Sequence, residues 1–248
     1  MKPGASSNII EMTGVAVGAL HDPNTVVVED VNWTVTAGDF WAVGGRTGSG
    51  KSDFLMLAAG LLTPPRGQCR IFGDALPIFE EARLAQRLRL GFVFDGGHLF
   101  NNLTIAENVA LPLQYHSTAP PAEIAARVEQ LLAATELTSW TNSTPGTMGR
   151  NWQKRVGLAR ALALAPEVLL LDNPLGGADA RHAAWWLEFL GQLATGHELL
   201  PGKRAVTLVV TADDLHPWQH RARQFAVLRE GRLEVLAKEK LAAETPNG

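Results

Sequence analysis

The run GRTGSGKS at residues 45–52 matches the pattern G-x-x-x-x-G-K-[ST]. The apolar run at residues 40–43 before it predicts a buried strand, and the apolar spacing over residues 51–62 predicts a helix that stops before Pro64. In this setting glycines let backbone N–H groups close around a phosphate chain, and the helix N-terminus adds partial positive charge. The run therefore predicts a phosphate-binding loop made of Gly45, Arg46, Thr47, Gly48, Ser49, Gly50, Lys51 and Ser52.

Charged and hydroxyl side chains at this loop predict how a nucleotide is held. Lys51 would reach the β- and γ-phosphates, and Ser52 would offer its hydroxyl to Mg²⁺. The apolar run at residues 168–171 ends in Asp172, and an acid at that place holds Mg²⁺ in phosphate-loop NTPases. Asp53 follows in the first helical turn, where it would favour an empty helix N-terminus but repel a polyphosphate. We expect Arg46 to offset part of that repulsion.

The composition excludes several classes of protein. The chain has 248 residues, 46% of them apolar, with 22 basic and 25 acidic side chains and a net charge of −3. The apolar content argues against disorder, and the low charge argues against binding to bare nucleic acid. Residues 1–8 lack the apolar stretch of a signal peptide, and no apolar run approaches the roughly 18 residues that cross a bilayer. Because Cys69 is the single cysteine, no internal disulfide can form and we expect an intracellular location.

Strand and helix patterns divide the chain into three parts. Strands alternate with helices in the first and last thirds, and helices dominate the middle. This predicts an α/β fold with a mostly parallel sheet and a helical subdomain inserted into it. The predicted elements are strands at 26–28, 32–35, 40–43, 168–171 and 206–210, helices at 51–62, 105–113, 121–132, 153–164 and 181–195, and a hairpin at 225–236.

Four pieces, in this order, resemble the nucleotide-binding subunit of an ABC transporter over nearly the whole chain. They are the loop at 45–52, Phe94-Asp95, QKRVGLARAL at 153–162, and Leu171-Asp172-Asn173-Pro174. The resemblance implies an α/β P-loop NTPase of the ABC type, with a mostly parallel core, an antiparallel β subdomain and an inserted helical subdomain. The nucleotide-binding core would comprise residues 1–94 and 166–248, and the helical subdomain residues 95–165.

The same resemblance implies ligands, partners and a location. ATP and Mg²⁺ would bind at the loop, and two chains would pair head to tail as a homodimer or a heterodimer, with each ATP between the loop of one chain and the signature motif of the other.

Residues 99–113 resemble the segment that docks on membrane subunits, so the chain would lie in the cytoplasm on the inner face of the cell membrane. Residues 113–116, LQYH, resemble ATPases of MCE-type lipid transporters, which implies a lipid cargo. His21 is the nearest candidate to stack on adenine.

Several positions depart from the family pattern. The family has Glu after the strand Asp; here that residue is Asn173, whose amide can orient a water but cannot take its proton at neutral pH. The family's Gln at the entry of the helical insert is Asp95, and its switch His is Ala212. The signature Leu-Ser-Gly-Gly-Gln is replaced by MGRNW at 148–152, where Arg150 would either touch the opposite ATP or cap its own helix.

Relative to the family pattern, position 173 loses a carboxylate and position 95 gains one. The net charge of the site is therefore unchanged, but its carboxylate lies at a different position. We hypothesise that Asp95 ligates Mg²⁺ or acts as a displaced general base; the alternative is drift in an inactive site. Three interpretations stay open: an ABC ATPase that hydrolyses ATP with rearranged residues, an inactive ATP-binding subunit with a regulatory or structural role, and a small P-loop kinase or soluble DNA-repair relative. The last leaves residues 99–113 without a role.

Overall fold

The computed structural model describes residues 8–76 and 83–238, which form two β-sheets and a helical region. In chain order the elements are β1 (Asn8–Ala19), β2 (Asp22–Thr36), β3 (Phe40–Gly45), α1 (Lys51–Ala58), β4 (Arg66–Ile71), β5 (Asp74–Ala75), α2 (Leu84–Arg87), β6 (Leu90–Val93), α3 (Ile105–His116), α4 (Pro121–Ala134), α5 (Arg150–Leu162), β7 (Val168–Leu171), α6 (Ala180–Thr195), β8 (Thr207–Ala212), β9 (Gln224–Arg229) and β10 (Arg232–Leu236).

The larger sheet has the strand order β10-β9-β3-β8-β7-β6, and its neighbouring strands are parallel except for the antiparallel pair β9–β10. Strands β7 and β8 are buried along their whole length, and β3 is buried up to its last residue. Because helices or the other sheet cover both faces of such strands, the strands are continuous apolar runs in the sequence. The predicted α/β fold with a mostly parallel sheet is confirmed, as is the hairpin at 225–236.

The smaller sheet is antiparallel, with the order β2-β1-β4-β5, and confirms the expected antiparallel β subdomain. The two short strands predicted at 26–28 and 32–35 are parts of one long strand, β2. Its register against β1 shifts several times, and Asp30 adopts a φ of +51° within it. Such bulges interrupt the alternation of apolar and polar residues, so the sequence pattern breaks where the strand continues. Cys69 of β4 is buried, and burial raises the pKa of its thiol to about 12.

Helix α1 ends at Ala58, four residues before the predicted end. Gly60 has a φ of +71°; its N–H donates to Leu57 O, and the N–H of Leu61 donates to Met56 O. This glycine-centred C-terminal motif ends the helix several residues before Pro64, where the sequence pattern had predicted its end.

Helices α3, α4 and α5 pack around one apolar cluster that also includes the larger sheet, with Val109, Leu131 and Val156 among its fully buried members. Helix α3 starts with a capping box between Thr104 and Glu107 and runs through Pro112, three residues beyond the predicted end. The hydroxyl and N–H of Ser117 both donate to Leu113 O and close this last turn. Helix α5 begins three residues earlier than predicted and ends two residues earlier.

These three helices lie inside the predicted helical subdomain at 95–165, and both sheets lie outside it. The subdomain boundaries themselves stay predictions, and residues 1–7, 77–82 and 239–248 of the predicted core lie outside the described residues. None of the helices in residues 8–76 and 83–238 is both long and apolar enough to cross a membrane.

Candidate functional site

The loop at residues 45–52 leaves the end of β3 and enters α1, as predicted. Gly48 and Gly50 have φ values of +82° and +86°, in the left-handed region that favours glycine. At Gly50 a side chain would also come within 3.2 Å of Val27 and Val28 of β2. The loop therefore keeps its shape through positive-φ backbone conformations that favour glycine and, at Gly50, through a tight approach to the smaller sheet.

Lys51 places its ammonium group inside this loop. The side chain is 8% exposed; Nζ donates to the carbonyl oxygens of Gly45 (2.6 Å) and Arg46 (2.9 Å) and lies 3.0 Å from Oδ1 of Asp213. Ser49 Oγ is buried and has no hydrogen-bond partner among the described residues. A cation and an unsatisfied hydroxyl in a glycine-rich loop at a helix N-terminus fit an anionic phosphate chain.

Ser52 and Asp172 are the side chains that fit Mg²⁺. Ser52 is exposed in the first turn of α1, and Asp172 follows β7 with 8% exposure. Oδ1 of Asp172 accepts a 2.7 Å hydrogen bond from Thr211 Oγ1 at the end of β8. No group of three or more His, Cys, Asp or Glu side chains in the described ranges could hold a metal by itself. Mg²⁺ at nucleotide sites is commonly held by one or two protein oxygens together with phosphates and water, and the role of Ser52 and Asp172 as its ligands stays a prediction.

Asn173 has a left-handed backbone, with φ of +45°. Its N–H donates to Thr211 Oγ1 at 2.9 Å, and its side-chain Nδ2 donates to Oδ2 of Asp213 at 3.0 Å. Because a carboxylate accepts hydrogen bonds, the NH₂ group of the amide is the one that faces Asp213. A side chain at Gly176 would come within 2.4 Å of this Nδ2. The amide is therefore held between Gly176 and Asp213.

Asp95 is bound by two cations. Its Oδ2 accepts a 2.7 Å hydrogen bond from Nη2 of Arg150, and its Oδ1 lies 2.7 Å from Nζ of Lys154. Lys154 is 1% exposed and also donates to the backbone oxygens of Asn173 and Gly176, each at 2.8 Å. Asp95 thus reaches Asn173 through Lys154 and a backbone carbonyl. Its role as Mg²⁺ ligand or displaced base stays a prediction.

Arg150 is the first residue of α5, and its side chain is 64% exposed although it pairs with Asp95 of its own chain. The interpretation that Arg150 caps its own helix is wrong, because Gly149 occupies the N-cap position of α5 and no side chain caps that end. Contact with an opposite ATP stays a prediction. The pairing with Asp95 is a contact that the sequence pattern did not indicate.

His21 is exposed in the turn between β1 and β2. The N–H of the neighbouring Leu20 donates to Oδ1 of Asp53 at 2.8 Å, so the first turn of α1 is bonded directly to this hairpin turn. We expected the carboxylate of Asp53 to repel a bound polyphosphate; in the structure this carboxylate accepts a hydrogen bond from the backbone of Leu20. The stacking of His21 on adenine stays a prediction.

Three residues of the site were missed by the sequence analysis: Asp213, Lys154 and Thr211. Asp213 directly follows Ala212, the position of the missing switch His, and this adjacency was the available signal. Its contact with Asn173 joins residues 40 positions apart, and it exists because β7 and β8 are parallel neighbours that end side by side.

Comparison with known proteins agrees with this geometry. Residues 28–176 match the family model described as ABC transporter. The chain is 35% identical over 229 residues to the sulfate/thiosulfate import ATP-binding protein CysA 1 of Agrobacterium fabrum, covering 89% of this chain and 61% of that protein. It is 34% identical over 201 residues to the macrolide export ATP-binding/permease protein MacB of Azoarcus sp., covering 79% of this chain and 30% of that protein. The chain thus spans about three fifths of the length of the first of these relatives.

A solved structure shows the same fold at the level of the whole chain. The dimeric post-hydrolysis state of the ATP-binding cassette MJ0796, bound to ADP and Pi, superposes with a TM-score of 0.80 and 26% identity, over 92% of this chain and 99% of that chain. The phosphate loop, the acid at the end of β7 and the helical insert lie within this shared architecture, and the family match covers more than half of the residues. This chain belongs to the ABC transporter family.

Proposed function

We propose that this chain is the ATP-binding subunit of an ABC transporter, which binds Mg-ATP at residues 45–52 and couples that binding to membrane partner subunits. The observation that carries the proposal is Lys51, an ammonium group with 8% exposure that points into a loop built on positive-φ glycines. The similarity to an import ATP-binding protein and to an export ATP-binding/permease protein supports it.

The residues of the loop have separate tasks in this proposal. When a nucleotide binds, Lys51 would give up its contacts with the loop carbonyls and with Asp213 and would bind phosphate oxygens instead. Ser49 Oγ, which has no hydrogen-bond partner among the described residues, would donate to a phosphate oxygen. Ser52 and Asp172 would hold Mg²⁺, which neutralises phosphate charge when it is bound. Because the Asp213 side chain is 51% exposed, its pairing with Lys51 contributes little stability and opposes the exchange weakly.

Binding of labelled Mg-ATP to Lys51→Ala tests the loop. We expect at least a roughly tenfold loss of affinity, because hydrogen bonds to a charged group contribute about 1.5–3 kcal/mol and 1.4 kcal/mol corresponds to tenfold. Lys203→Ala is the matched control, since Lys203 pairs with Glu198 on the surface. Circular dichroism shows whether each variant is folded. Wild-type affinity in a folded Lys51→Ala variant would overturn the proposal.

Pairing of two ATP-binding chains is the second part of the proposal. The dimeric cassettes that this chain resembles support it. We expect Mg-ATP to shift the protein from monomer to dimer in size-exclusion chromatography with light scattering. A chain that dimerises only after a second ATP-binding subunit is added would be the member of a heterodimer.

The membrane partner would dock in an exposed groove between residues 98–103 and α3. The groove has a volume of about 560 Å³, and Phe100, Leu111 and Tyr115 are among the residues that line it. Phe100 and Tyr115 are 55% and 78% exposed. Large exposed apolar side chains that line one groove mark an interaction site. Docking there would place the chain on the inner face of the cell membrane, and the likeness of residues 113–116 to MCE-type ATPases supports a lipid cargo.

A second candidate function is that of an ATP-binding regulatory or structural subunit that does not hydrolyse ATP. Asn173 favours it, because an amide cannot take a proton from water at neutral pH. Single-turnover incubation with labelled Mg-ATP separates the two functions. Bound nucleotide that stays intact would support the regulatory subunit, and bound nucleotide that is cleaved would support the ATPase.

A further inference from the structure

The carboxylate of Asp213 lies between the two residues on which ATP chemistry depends at this site. Its Oδ1 is 3.0 Å from Nζ of Lys51, and its Oδ2 accepts a 3.0 Å hydrogen bond from Nδ2 of Asn173. The side chain is 51% exposed, so water and ligand can reach it. A carboxylate, that of Asp213, thus lies beside position 173, where this chain has Asn and the family has Glu.

The ends of β7 and β8 fix this arrangement. Thr211 Oγ1 donates to Asp172 Oδ1 and accepts from the N–H of Asn173, so the segment that follows β7 is bonded to the end of β8. Asp213 follows two residues after Thr211. On the other side, Gly176 leaves room for the Asn173 amide, where any Cβ would clash. Asn173 and Asp213 therefore face each other because each lies just after the end of one of two neighbouring parallel strands.

We propose that Asp213 is the catalytic base for ATP hydrolysis in this chain and that Asn173 is the residue that positions both Asp213 and the attacking water. The inference rests on the proposed ATP-binding function. When phosphate oxygens bind the ammonium group of Lys51, Oδ1 of Asp213 loses its contact with that group and can accept a proton. Oδ2 of Asp213 keeps its hydrogen bond from Asn173.

The step balances without a further reactant. The water oxygen forms a bond to the γ-phosphorus, and the bond from that phosphorus to the β–γ bridging oxygen breaks. The electron pair of the broken bond leaves with ADP. The proton of the water passes to Oδ1 of Asp213 and returns later to the released phosphate, so the carboxylate is regenerated.

The contacts of the two candidate carboxylates distinguish Asp213 from Asp95. Both oxygens of Asp95 are held by cations at 2.7 Å, and one of these, Lys154, is buried and bonded to two backbone oxygens. Lys154 lies in α5, outside the phosphate loop, so a nucleotide bound at residues 45–52 leaves its pairing with Asp95 in place. The cation beside Asp213 is Lys51, which a phosphate chain recruits, so nucleotide binding itself frees Asp213.

Asp213→Asn is the central variant of the test, in single-turnover incubation with labelled Mg-ATP. We expect cleavage at least about 100-fold slower than wild type, since loss of a general base costs about 10²–10⁴ in rate. ATP affinity should stay within about threefold, and the Mg-ATP dimer should persist longer on size-exclusion chromatography because the nucleotide stays intact. Asp214→Asn is the control: its carboxylate accepts a bond from the N–H of His216, and its cleavage rate should equal wild type.

A double variant, Asp213→Asn with Asn173→Glu, tests whether the carboxylate can return to the end of β7. We expect it to recover cleavage to within about tenfold of wild type, because Glu at position 173 again places a carboxylate that can take the proton of the attacking water. Thermal unfolding of every variant shows that the fold is retained.

Three outcomes would overturn the inference. They are a folded Asp213→Asn variant that cleaves ATP at the wild-type rate, a double variant that recovers no cleavage, and a wild-type chain that binds Mg-ATP tightly without cleaving it. Each of these leaves the proposed ATP-binding function intact. That function fails only if the wild-type chain does not bind Mg-ATP, which the affinity measurement records separately.

Discussion

Lys154 is the residue at which three segments of the site meet. Its ammonium group forms an ion pair with Asp95 at the entry of the helical insert and donates hydrogen bonds to the backbone oxygens of Asn173 and Gly176 after β7. With 1% exposure it has no water to replace any of these partners. A buried cation is tolerated only when its partners are complete. Where the family has Gln, this chain has Asp95, and its carboxylate supplies the negative charge that the buried Lys154 requires.

Asp95→Asn should lower the stability of the fold by about 1–3 kcal/mol, because it leaves the buried ammonium group of Lys154 without a carboxylate. Urea unfolding measures this as a lower midpoint at unchanged slope. Glu198→Gln is the control: Glu198 and Lys203 form a surface pair with 83% and 69% exposure, so its loss should leave the midpoint unchanged. Equal midpoints for Asp95→Asn and wild type would show that the pairing adds no stability.

Asp53→Asn should tighten Mg-ATP binding by about two- to fivefold. The amide oxygen of Asn can still accept the hydrogen bond from Leu20, but the negative charge beside the phosphate loop is gone. Because the repulsion acts between partly solvated charges, the gain should shrink as salt is raised from about 0.01 to 0.15 M. Binding isotherms at the two salt concentrations check this. An unchanged affinity at low salt would mean that the hairpin turn and Arg46 already neutralise Asp53.

At the scale of elements, the packing of α5 on α6 depends on a buried arginine. Arg155 is fully buried; Nη1 bonds to Glu136 at 2.6 Å, and the guanidinium carbon lies 3.8 Å from the centre of the Trp185 ring and 4.7 Å from that of Trp152. Nη2 of Arg155 lies 3.1 Å from Nδ1 of His182, on α6. Because a guanidinium group only donates, His182 must accept through Nδ1 and is therefore neutral in this contact.

The packing of α5 on α6 should weaken in acid. Burial, and then the positive charge of Arg155, lower the pKa of His182 below its usual 6.5. Below about pH 6.5 the unfolded chain takes up a proton at this residue that the folded chain does not, so the free energy of unfolding falls as the pH drops. We expect the melting temperature to decrease between pH 7.5 and 5.5, and His182→Gln to flatten that decrease. The exposed His220→Gln serves as the control, and an identical pH dependence in His182→Gln and wild type would contradict the assignment.

The elements also show what sequence patterns can predict. Strand β7 has its predicted bounds, and β3 and β8 were predicted at the right places but end two residues later than expected. The phosphate loop also lies where it was predicted, because apolar runs and glycine spacing are local signals. Helix ends were shifted where a local turn decided them, as at Gly60 after α1. The role proposed for Asp172 could be predicted from its own strand. The contacts of Asp213 and Lys154 could not, since they depend on which strands are neighbours and on one buried charge that needs a partner.

At the scale of the whole molecule, a pair of such chains would have altered sites throughout. Each composite site would combine Asn173 of one chain with the signature motif of the other. In a homodimer, both changes would occur in both sites; with a standard partner, each site would contain one of them. A base supplied by Asp213 lies on the same chain as the phosphate loop, so this chain's own half of the site would be complete whichever partner it meets.

The proposed docking on a membrane subunit can be tested separately from nucleotide binding with surface variants. Phe100→Ser and Tyr115→Ser remove the two large exposed side chains of the groove beside α3. Because both side chains are more than half exposed, the variants should change stability by less than about 0.5 kcal/mol and leave Mg-ATP affinity unchanged. Co-purification with the membrane subunit should fall at least about tenfold, since aromatic side chains contribute much of the energy of such interfaces.

Val235→Ser is the matched control for this experiment, because Val235 is 60% exposed on β10, at the edge of the larger sheet. It removes a similar exposed apolar side chain but should co-purify like wild type. A Phe100→Ser, Tyr115→Ser double variant that still recovers the membrane subunit in full would move the docking surface away from this groove. Loss of the complex with intact ATP binding would instead show that the two surfaces of the chain act independently until the subunits meet, as coupling between a nucleotide site and a membrane partner requires.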